Sequence, residues 1–224
     1  MLVVAGAIVV LFIITFLLGS VPWGLVISSL VYHKDLRSEG SGNIGTTNAM
    51  RSLGKFGGAL VFLLDFGKGV LSGFLGVFVY TWILEQLPVA ASSVVVGLIP
   101  GWCMAVAFAG CVLGHIFSPW LRFHGGKGIA VAVGALFVVY GVAGACIELA
   151  LFGILVVATR YVSVGSIAAA LLCPFFAFYF YWGNWIAAGL ISAVALVVVW
   201  AHRENIARLR AGNENRIGSK KKEA

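Results

Sequence analysis

The stretch LVVAGAIVVLFIITFLLGSVPWGLVISSLVY, residues 2–32, is apolar over a length that crosses a lipid bilayer. It has no basic segment at its start and is too long for a secretory signal peptide, so we expect a retained membrane span. Pro22 and Gly24 lie inside the stretch and predict a bend or break in its helix. The stretch therefore indicates a membrane protein whose first span is interrupted.

The composition of the whole chain extends this interpretation. Of the 224 residues, 61% are hydrophobic and 10% are charged, whereas a soluble domain is nearer half apolar and a quarter charged. The four cysteines lie in apolar runs without CxxC spacing, which argues against a metal site or a disulfide framework. We attribute the net charge of +7 to basic residues on one membrane face and not to nucleic-acid binding.

Seven apolar stretches have the composition of membrane-spanning helices, which predicts an all-α polytopic protein. They lie at roughly 5–31, 57–84, 93–115, 128–145, 147–160, 164–181 and 184–201. The fourth and fifth are short for a full span, so a five-span chain with re-entrant segments is the alternative. We expect one transmembrane domain over residues 1–201, followed by a helix and a basic tail over 202–224 whose charged end is solvated and frayed.

The distribution of charge predicts the orientation of these spans. With seven spans, the connections 33–56, 116–127 and 160–163 and the tail share one membrane face, and they carry nearly all Lys and Arg residues. The opposite face receives Glu85 and Glu148 and no Lys or Arg. The positive-inside rule then places the basic face in the cytoplasm, with the N-terminus outside and the C-terminus inside.

The segment GSGNIGTTNAMRSLGK, residues 40–55, is polar and basic although apolar stretches flank it. Its glycines allow several backbone N–H groups to turn toward one point, and a guanidinium is suited to phosphate. An ordinary polar loop is the alternative, because the same residue types are common in loops. The candidate anion-binding residues are Ser41, Gly42, Asn43, Gly45, Thr46, Thr47, Asn48 and Arg51.

A second candidate anion site is HGGKGIA, residues 124–130, at the start of the fourth predicted span. Lys127 lies among Gly125, Gly126 and Gly128, and a helix N-terminus with free N–H groups and a nearby cation attracts anions. The GxxxxGK[ST] pattern of nucleotide-binding loops is absent, so nucleotide hydrolysis is unsupported. A simple turn is the alternative.

Asp65 and Lys68 lie three residues apart inside the second apolar stretch, so they share one helix face. Ionisable residues at membrane depth usually serve function, and a structural ion pair is the equal alternative.

Two groups of polar residues lie at the ends of the later spans. Arg160, Ser163 and Ser166 lie in RYVSVGS between the fifth and sixth spans, where Ser163 could instead be a helix N-cap. His202 and Asn205 face the same way at the end of the last helix. Most of these polar groups lie near one membrane face, where they could converge on phosphate.

Taken in order along the chain, these motifs resemble a known family. The blocks that carry the resemblance are LLGSVPWG (17–24), DLRSEGSGNIGTTNAMRSLGK (35–55), LLDFGKG (63–69), GHIFSPWLRFHGGKGIA (114–130), RYVSVGSI (160–167) and HRENIARLRAGNEN (202–215). The chain is similar over nearly its whole length to the bacterial membrane-embedded glycerol-3-phosphate acyltransferases that use acyl phosphate, the PlsY family.

The resemblance implies a monomeric seven-helix enzyme of the bacterial cytoplasmic membrane that needs no metal or cofactor. Its transmembrane domain would transfer a fatty acyl group from acyl phosphate to the 1-hydroxyl of sn-glycerol 3-phosphate, giving lysophosphatidic acid and phosphate, and the acyl chain would contact membrane lipid. The implied polar wall is Ser41, Asn43, Arg51, Lys127, Ser163, His202 and Asn205, and the implied backbone cradle runs from Gly125 to Gly128.

Three departures and one open question accompany the resemblance. Thr46 stands where the family usually has alanine, Val131 where it has threonine, and His124 where lysine is common. The proton acceptor is either His202 or a phosphate group of a substrate. A transporter for organic phosphates is the alternative function, because broken helices and glycines near a basic mouth occur there too.

Overall fold

The computed structural model describes residues 2–88 and 92–218, and the secondary structure of these residues is helical throughout, as predicted. The predicted terminal lysine run, residues 220–222, lies outside them. Within the described residues ten α-helices follow one another: α1 (Leu2–Ser20), α2 (Trp23–Leu30), α3 (Thr46–Ser52), α4 (Gly54–Gln86), α5 (Ser93–Ile116), α6 (Ile129–Val139), α7 (Gly141–Thr159), α8 (Val162–Phe180), α9 (Trp185–Ala201) and α10 (Arg203–Arg210).

Five helical stretches in the described part of the chain are long and apolar enough to cross a membrane: Leu2–Leu30, Gly54–Gln86, Ser93–Leu121, Gly141–Thr159 and Val162–Phe180. A sixth is added if α9 and α10, which meet at a bend of 49°, form one span. Helix α6 has 11 residues and is about 16 Å long, about half the thickness of the hydrocarbon core. The described residues thus contain five or six candidate spans where the sequence predicts seven.

The boundary between the fourth and fifth predicted spans differs from the expectation. Gly141 has a φ of +70°, a conformation that glycine adopts readily, and the chain breaks there rather than near residue 146. Helix α7 is therefore 19 residues long, which argues against the alternative in which both segments fail to span. Glu148, expected on a membrane face, lies inside α7 and is buried.

The predicted break at Pro22 is confirmed, because α1 ends at Ser20 and α2 begins at Trp23. A broken helix leaves backbone carbonyls without partners, which is costly inside a membrane unless other groups bind them. Here Lys68 Nζ donates to the Val21 carbonyl at 2.9 Å, and Ser118 Oγ donates to the Ser20 carbonyl at 2.7 Å. The break is thereby anchored to α4 and to the residues after α5.

Helix α5 lies at the centre of the bundle and packs against α1, α4, α6 and α9. Small residues allow the close approach of α1 and α5, because a side chain at Gly110 or Gly114 would collide with the backbone of α1. Outward-facing Phe74, Phe175 and Trp185 are more than half exposed, which suits contact with lipid chains.

Candidate functional site

A cavity lies where the polar segments meet at one end of the bundle. The structure brings many of the predicted site residues to its wall: Ser41, Asn43, Gly45, Thr46, Thr47, Asn48, Arg51, Asp65, Lys127, Gly128, Ser163, Ser166, His202 and Asn205. Gly42, Gly125, Gly126, Lys68 and Arg160 are not among the lining residues and lie behind or beside the wall. Segments separated by more than 150 residues in sequence therefore converge on one space.

Asn48 organises the first wall. Its Oδ1 accepts the backbone N–H of Ser41 at 2.8 Å, and its Nδ2 donates to the carbonyls of Leu36 at 3.1 Å and Glu39 at 2.9 Å. With its side-chain amide engaged in this way and 2% of the residue exposed, Asn48 holds the loop in shape. Helix α3 then carries Arg51 to the cavity in its last turn.

The glycine-rich segment around Lys127 folds back onto the end of α5. Gly125 N–H donates to the Ile116 carbonyl at 2.9 Å, and Gly126 N–H donates to the His115 carbonyl at 3.1 Å. A Cβ atom at Gly126 would collide with the His115 imidazole. Gly128 caps the start of α6 with a φ of +83°, in the left-handed region that side chains disfavour. These glycines fix the backbone on both sides of Lys127.

The ammonium group of Lys127 donates a short hydrogen bond to Asn205 Oδ1. Burial and, to a lesser extent, the positive charge of Arg208 lower the pKa of Lys127 to about 8, while the carboxylate of Glu214 acts in the opposite direction. Lys127 is therefore still largely protonated at neutral pH. An arriving anion would favour its charged form.

Glu214 joins three walls of the cavity and was not predicted as a site residue. Its Oε1 accepts Ser163 Oγ at 3.1 Å and Asn205 Nδ2 at 2.8 Å, and its Oε2 accepts Arg208 Nε at 2.8 Å. Only 6% of its side chain is exposed. The sequence alone does not indicate that this carboxylate belongs to the site, because it lies in a polar segment that has the composition of a solvated tail.

The chain after α10 is thus ordered to a greater extent than the sequence suggests. The N–H of Ile217 donates to the carbonyl of Arg160 at 2.8 Å, so that the described residues 213–218 lie against the α7–α8 connection. The expectation of a solvated, frayed end concerns the charge run, which lies outside the described residues. Ser163 is not the N-cap of α8, since Tyr161 takes that position and the Ser163 hydroxyl binds Glu214.

His202 lies one residue beyond α9 and is 3% exposed. Its Nδ1 is 2.8 Å from the Val198 carbonyl oxygen, which can only accept, so Nδ1 carries the hydrogen and Nε2 is an acceptor. Burial lowers the pKa of His202 to about 4. The ring is therefore neutral at physiological pH and presents one basic nitrogen.

A buried polar cluster supports the cavity from beneath. Lys68 Nζ lies 2.8 Å from Asp65 Oδ1 and 3.0 Å from His115 Nδ1, and Asp65 and His115 both line the cavity. The ammonium group is the donor, so His115 Nδ1 accepts and its hydrogen lies on Nε2, beside Gly126. The Asp65–Lys68 pair therefore links α4, the break in the first span and the loop before Lys127. His115 was not predicted as a site residue. It is an ionisable group in an apolar run, and this feature of the sequence could have identified it as a functional candidate.

An apolar cavity continues from the polar one between α6, α7, α8 and α9. The two cavities share the lining residues Ile129, Val133, Leu149 and Phe152. Basic side chains thus surround one part of a continuous space and hydrocarbon side chains the other. This arrangement suits a molecule with an anionic head and a long apolar chain. Within the described residues no three His, Cys, Asp or Glu side chains are placed to hold a metal ion.

The chain is similar to proteins of known activity over nearly all its length. Residues 9–212 match the model of a family described as glycerol-3-phosphate acyltransferase. A protein of that name from Rhodopseudomonas palustris (strain BisB5) is 36% identical over 216 residues, which cover 96% of this chain and 99% of the relative.

Two solved structures are similar in fold. Both are crystal structures of PlsY (YgiH), an integral membrane glycerol 3-phosphate acyltransferase. Its glycerol 3-phosphate form aligns with a TM-score of 0.77 and 32% identity over 94% of this chain and 96% of that one. Its lysophosphatidic acid form aligns with a TM-score of 0.74 and 30% identity over 94% and 95% of the two chains.

Proposed function

This chain belongs to the glycerol-3-phosphate acyltransferase family and is an integral membrane enzyme that acylates glycerol 3-phosphate, and we propose that its acyl donor is a fatty acyl phosphate. The 1-hydroxyl oxygen of glycerol 3-phosphate attacks the acyl carbonyl carbon, and the bond from that carbon to the phosphate oxygen breaks. The products are lysophosphatidic acid and inorganic phosphate, at an early step of phospholipid synthesis.

The observation that carries this proposal is the continuous space with a basic part and an apolar part. Both substrates carry phosphate, so the site must offset the repulsion between two anions. Lys127, Arg51 and Arg208 line the polar cavity and Glu214 is its paired carboxylate, which leaves an excess of positive charge. The acyl chain of the donor fills the apolar cavity.

The polar side chains divide the work of binding. We assign Lys127 and Arg51 to the phosphate groups, and Ser41 and Asn43 to hydrogen bonds with phosphate or glycerol oxygens. Ser163 and Asn205 are held by Glu214 and orient the acceptor. The N–H groups of Gly125 and Gly126 bind carbonyls of α5, so we assign the cradle for the donor phosphate to the backbone N–H groups of Lys127 and Gly128.

A substrate phosphate, rather than His202, takes the proton of the attacking hydroxyl. The low pKa of His202, about 4, makes its Nε2 a weak base, although a well-placed acceptor. Acyl phosphate has a good leaving group and does not require a strong nucleophile. His202 therefore positions glycerol by accepting a hydrogen bond from its 2-hydroxyl, and the 1-hydroxyl proton passes to the departing phosphate, which carries it away.

We further propose that the protein is a monomer of the bacterial inner membrane with seven transmembrane segments, α6 being the short fourth one. An odd number of transmembrane segments places the two termini on opposite sides of the membrane. The basic connections and the active site then lie on the cytoplasmic side. An impermeant thiol reagent should label a cysteine introduced at Trp182 from outside and one introduced at Arg37 only from inside. The reverse pattern would contradict this orientation.

The donor is tested with purified protein, glycerol 3-phosphate and either palmitoyl phosphate or palmitoyl-coenzyme A, with lysophosphatidic acid as the readout. We expect product only with palmitoyl phosphate, and product only from the coenzyme A ester would refute the proposed donor. Lys127→Ala and Arg51→Ala should abolish turnover in folded protein, whereas Arg37→Ala should not, because Arg37 pairs with Asp35 on the surface. Near-normal rates in the first two would contradict the site assignment.

The alternative function, transport of organic phosphates, has no support among the similar proteins described above, which are named acyltransferases. A transporter would move radiolabelled glycerol 3-phosphate into vesicles that contain the protein without any acyl donor. We expect no such uptake above that of protein-free vesicles.

A further inference from the structure

Glu148 is a carboxylic acid inside the apolar cavity, and neither the acyl transfer nor the packing of the helices makes use of it. It lies in the first half of α7, and 5% of it is exposed. Its Oε1 is buried and has no hydrogen-bond partner among the described residues. The other residues that line this cavity are hydrocarbon side chains apart from the Cys173 thiol.

The neighbouring polar groups are engaged elsewhere. The Tyr140 hydroxyl, at the end of α6, donates to the Cys173 carbonyl at 3.1 Å and lies 3.3 Å from the Cys173 thiol. No Lys, Arg or His lines the cavity, so Glu148 forms no ion pair there. A buried oxygen without a hydrogen-bond partner lowers the stability of the fold. Because Oε1 lies in a cavity that a ligand can enter, its position points to a hydrogen-bond donor on that ligand.

The depth of Glu148 defines where that partner would be. Glu148 precedes Thr159, the last residue of α7 at the polar end of the bundle, by eleven positions. This spacing corresponds to about 16 Å along the helix. An extended hydrocarbon advances about 1.25 Å per carbon, from a bond of about 1.5 Å and an angle of about 111°. An acyl chain whose carbonyl lies beside Lys127 and Ser163 thus passes Glu148 about thirteen carbons beyond the carbonyl, near carbon 14.

We propose that Glu148 forms a subsite for a hydroxyl group on the acyl chain, about thirteen carbons beyond the carbonyl. The hydroxyl donates a hydrogen bond to Oε1, which accepts in either protonation state of the carboxyl group. A saturated chain that fills the cavity leaves Oε1 without a partner. The enzyme therefore prefers a hydroxylated acyl chain over a saturated chain of equal length. This inference rests on the proposed function, since it places the acyl chain in the apolar cavity.

The test measures binding without turnover, so that it does not depend on which acyl donor the enzyme uses. Hexadecyl phosphate and 14-hydroxyhexadecyl phosphate have no acyl group to transfer, and their Kd values are measured by titration of the purified protein in detergent. We expect the hydroxylated probe to bind about tenfold more tightly, which corresponds to about 1.4 kcal/mol. Glu148→Leu should abolish this preference, and Glu148→Gln, which retains an accepting oxygen, should keep most of it.

Glu85→Leu is the matched control, because Glu85 is an exposed carboxylate near the end of α4 outside both cavities. It should leave the ratio of the two Kd values unchanged. Equal affinity of the wild-type protein for both probes would overturn the subsite, as would an undiminished preference in Glu148→Leu. Failure of the proposed acyl donor would be seen separately, as a lack of turnover with palmitoyl phosphate in a protein that still discriminates the probes.

Discussion

The pKa of Lys127 predicts a decline in substrate binding at alkaline pH. With a pKa of about 8 in the free enzyme, about nine-tenths of the molecules carry a charged Lys127 at pH 7 and about one-tenth at pH 9. Glycerol 3-phosphate is already a dianion above its second pKa of about 6, so the ligand charge does not change over this interval. Bound phosphate stabilises the ammonium form and raises its pKa, so binding takes up a proton above pH 8. Affinity for glycerol 3-phosphate should therefore fall about tenfold between pH 7 and pH 9, or about 1.4 kcal/mol.

Calorimetric titration of the purified protein with glycerol 3-phosphate from pH 6.5 to 9.5 measures this decline directly. Lys127→Arg is the control, because a guanidinium remains charged throughout; it should bind more weakly but with little dependence on pH. The effect on stability has the opposite sign. Between pH 8 and the ordinary pKa of lysine the unfolded chain binds more protons at this residue, so its contribution to the free energy of unfolding rises with pH. Wild-type affinity that stays constant up to pH 9.5 would refute the assignment of Lys127 to the phosphate.

Three further predictions concern the support of the site. Glu214→Gln should lower kcat by about 10- to 100-fold with little change in thermal stability, because the charged hydrogen bond from the cavity wall is weakened; an unchanged kcat would contradict its role in holding that wall. Asp65→Asn should lower the free energy of unfolding by about 3–5 kcal/mol, since it leaves the buried charge of Lys68 unpaired. The double variant Asp65→Asn/Lys68→Met removes that charge and should unfold at a higher temperature than Asp65→Asn alone. Gly126→Ala should reduce activity at least about tenfold by displacing the loop. Gly67→Ala should leave activity unchanged, because a Cβ atom there meets open space. An equal loss of activity in both variants would argue against a steric cause.

The sequence predicted the class of the fold and much of the site because both depend on local patterns. Apolar runs identified the helices, and the break at Pro22 follows from the missing N–H of proline. Polar residues placed among such runs are costly unless they serve a purpose, which is why Lys127 and Arg51 stood out as candidates. Their convergence on one cavity agrees with the expectation that most of them lie near one end of the spans.

The remaining features depend on tertiary contacts that no local pattern encodes. The role of Asn48 in shaping its loop follows from carbonyls that turn toward it only in the folded chain. Glu214 became a site residue because residues after α10 fold back to Ser163. The sequence indicated a short fourth span but not where it ends, since Gly141 lies between two stretches of similar hydropathy and only its backbone conformation shows the end of α6.

The position of Glu214 has a consequence for biosynthesis. The ribosome makes this carboxylate after all the helices that form the cavity, so a nascent chain can insert α1 to α9 into the membrane without a finished site. Hydrogen bonds from Ser163, Asn205 and Arg208 then close the wall only when residue 214 has emerged. A product that terminates after α10 would therefore be an inserted membrane protein whose cavity wall lacks the carboxylate that holds Ser163, Asn205 and Arg208 in place.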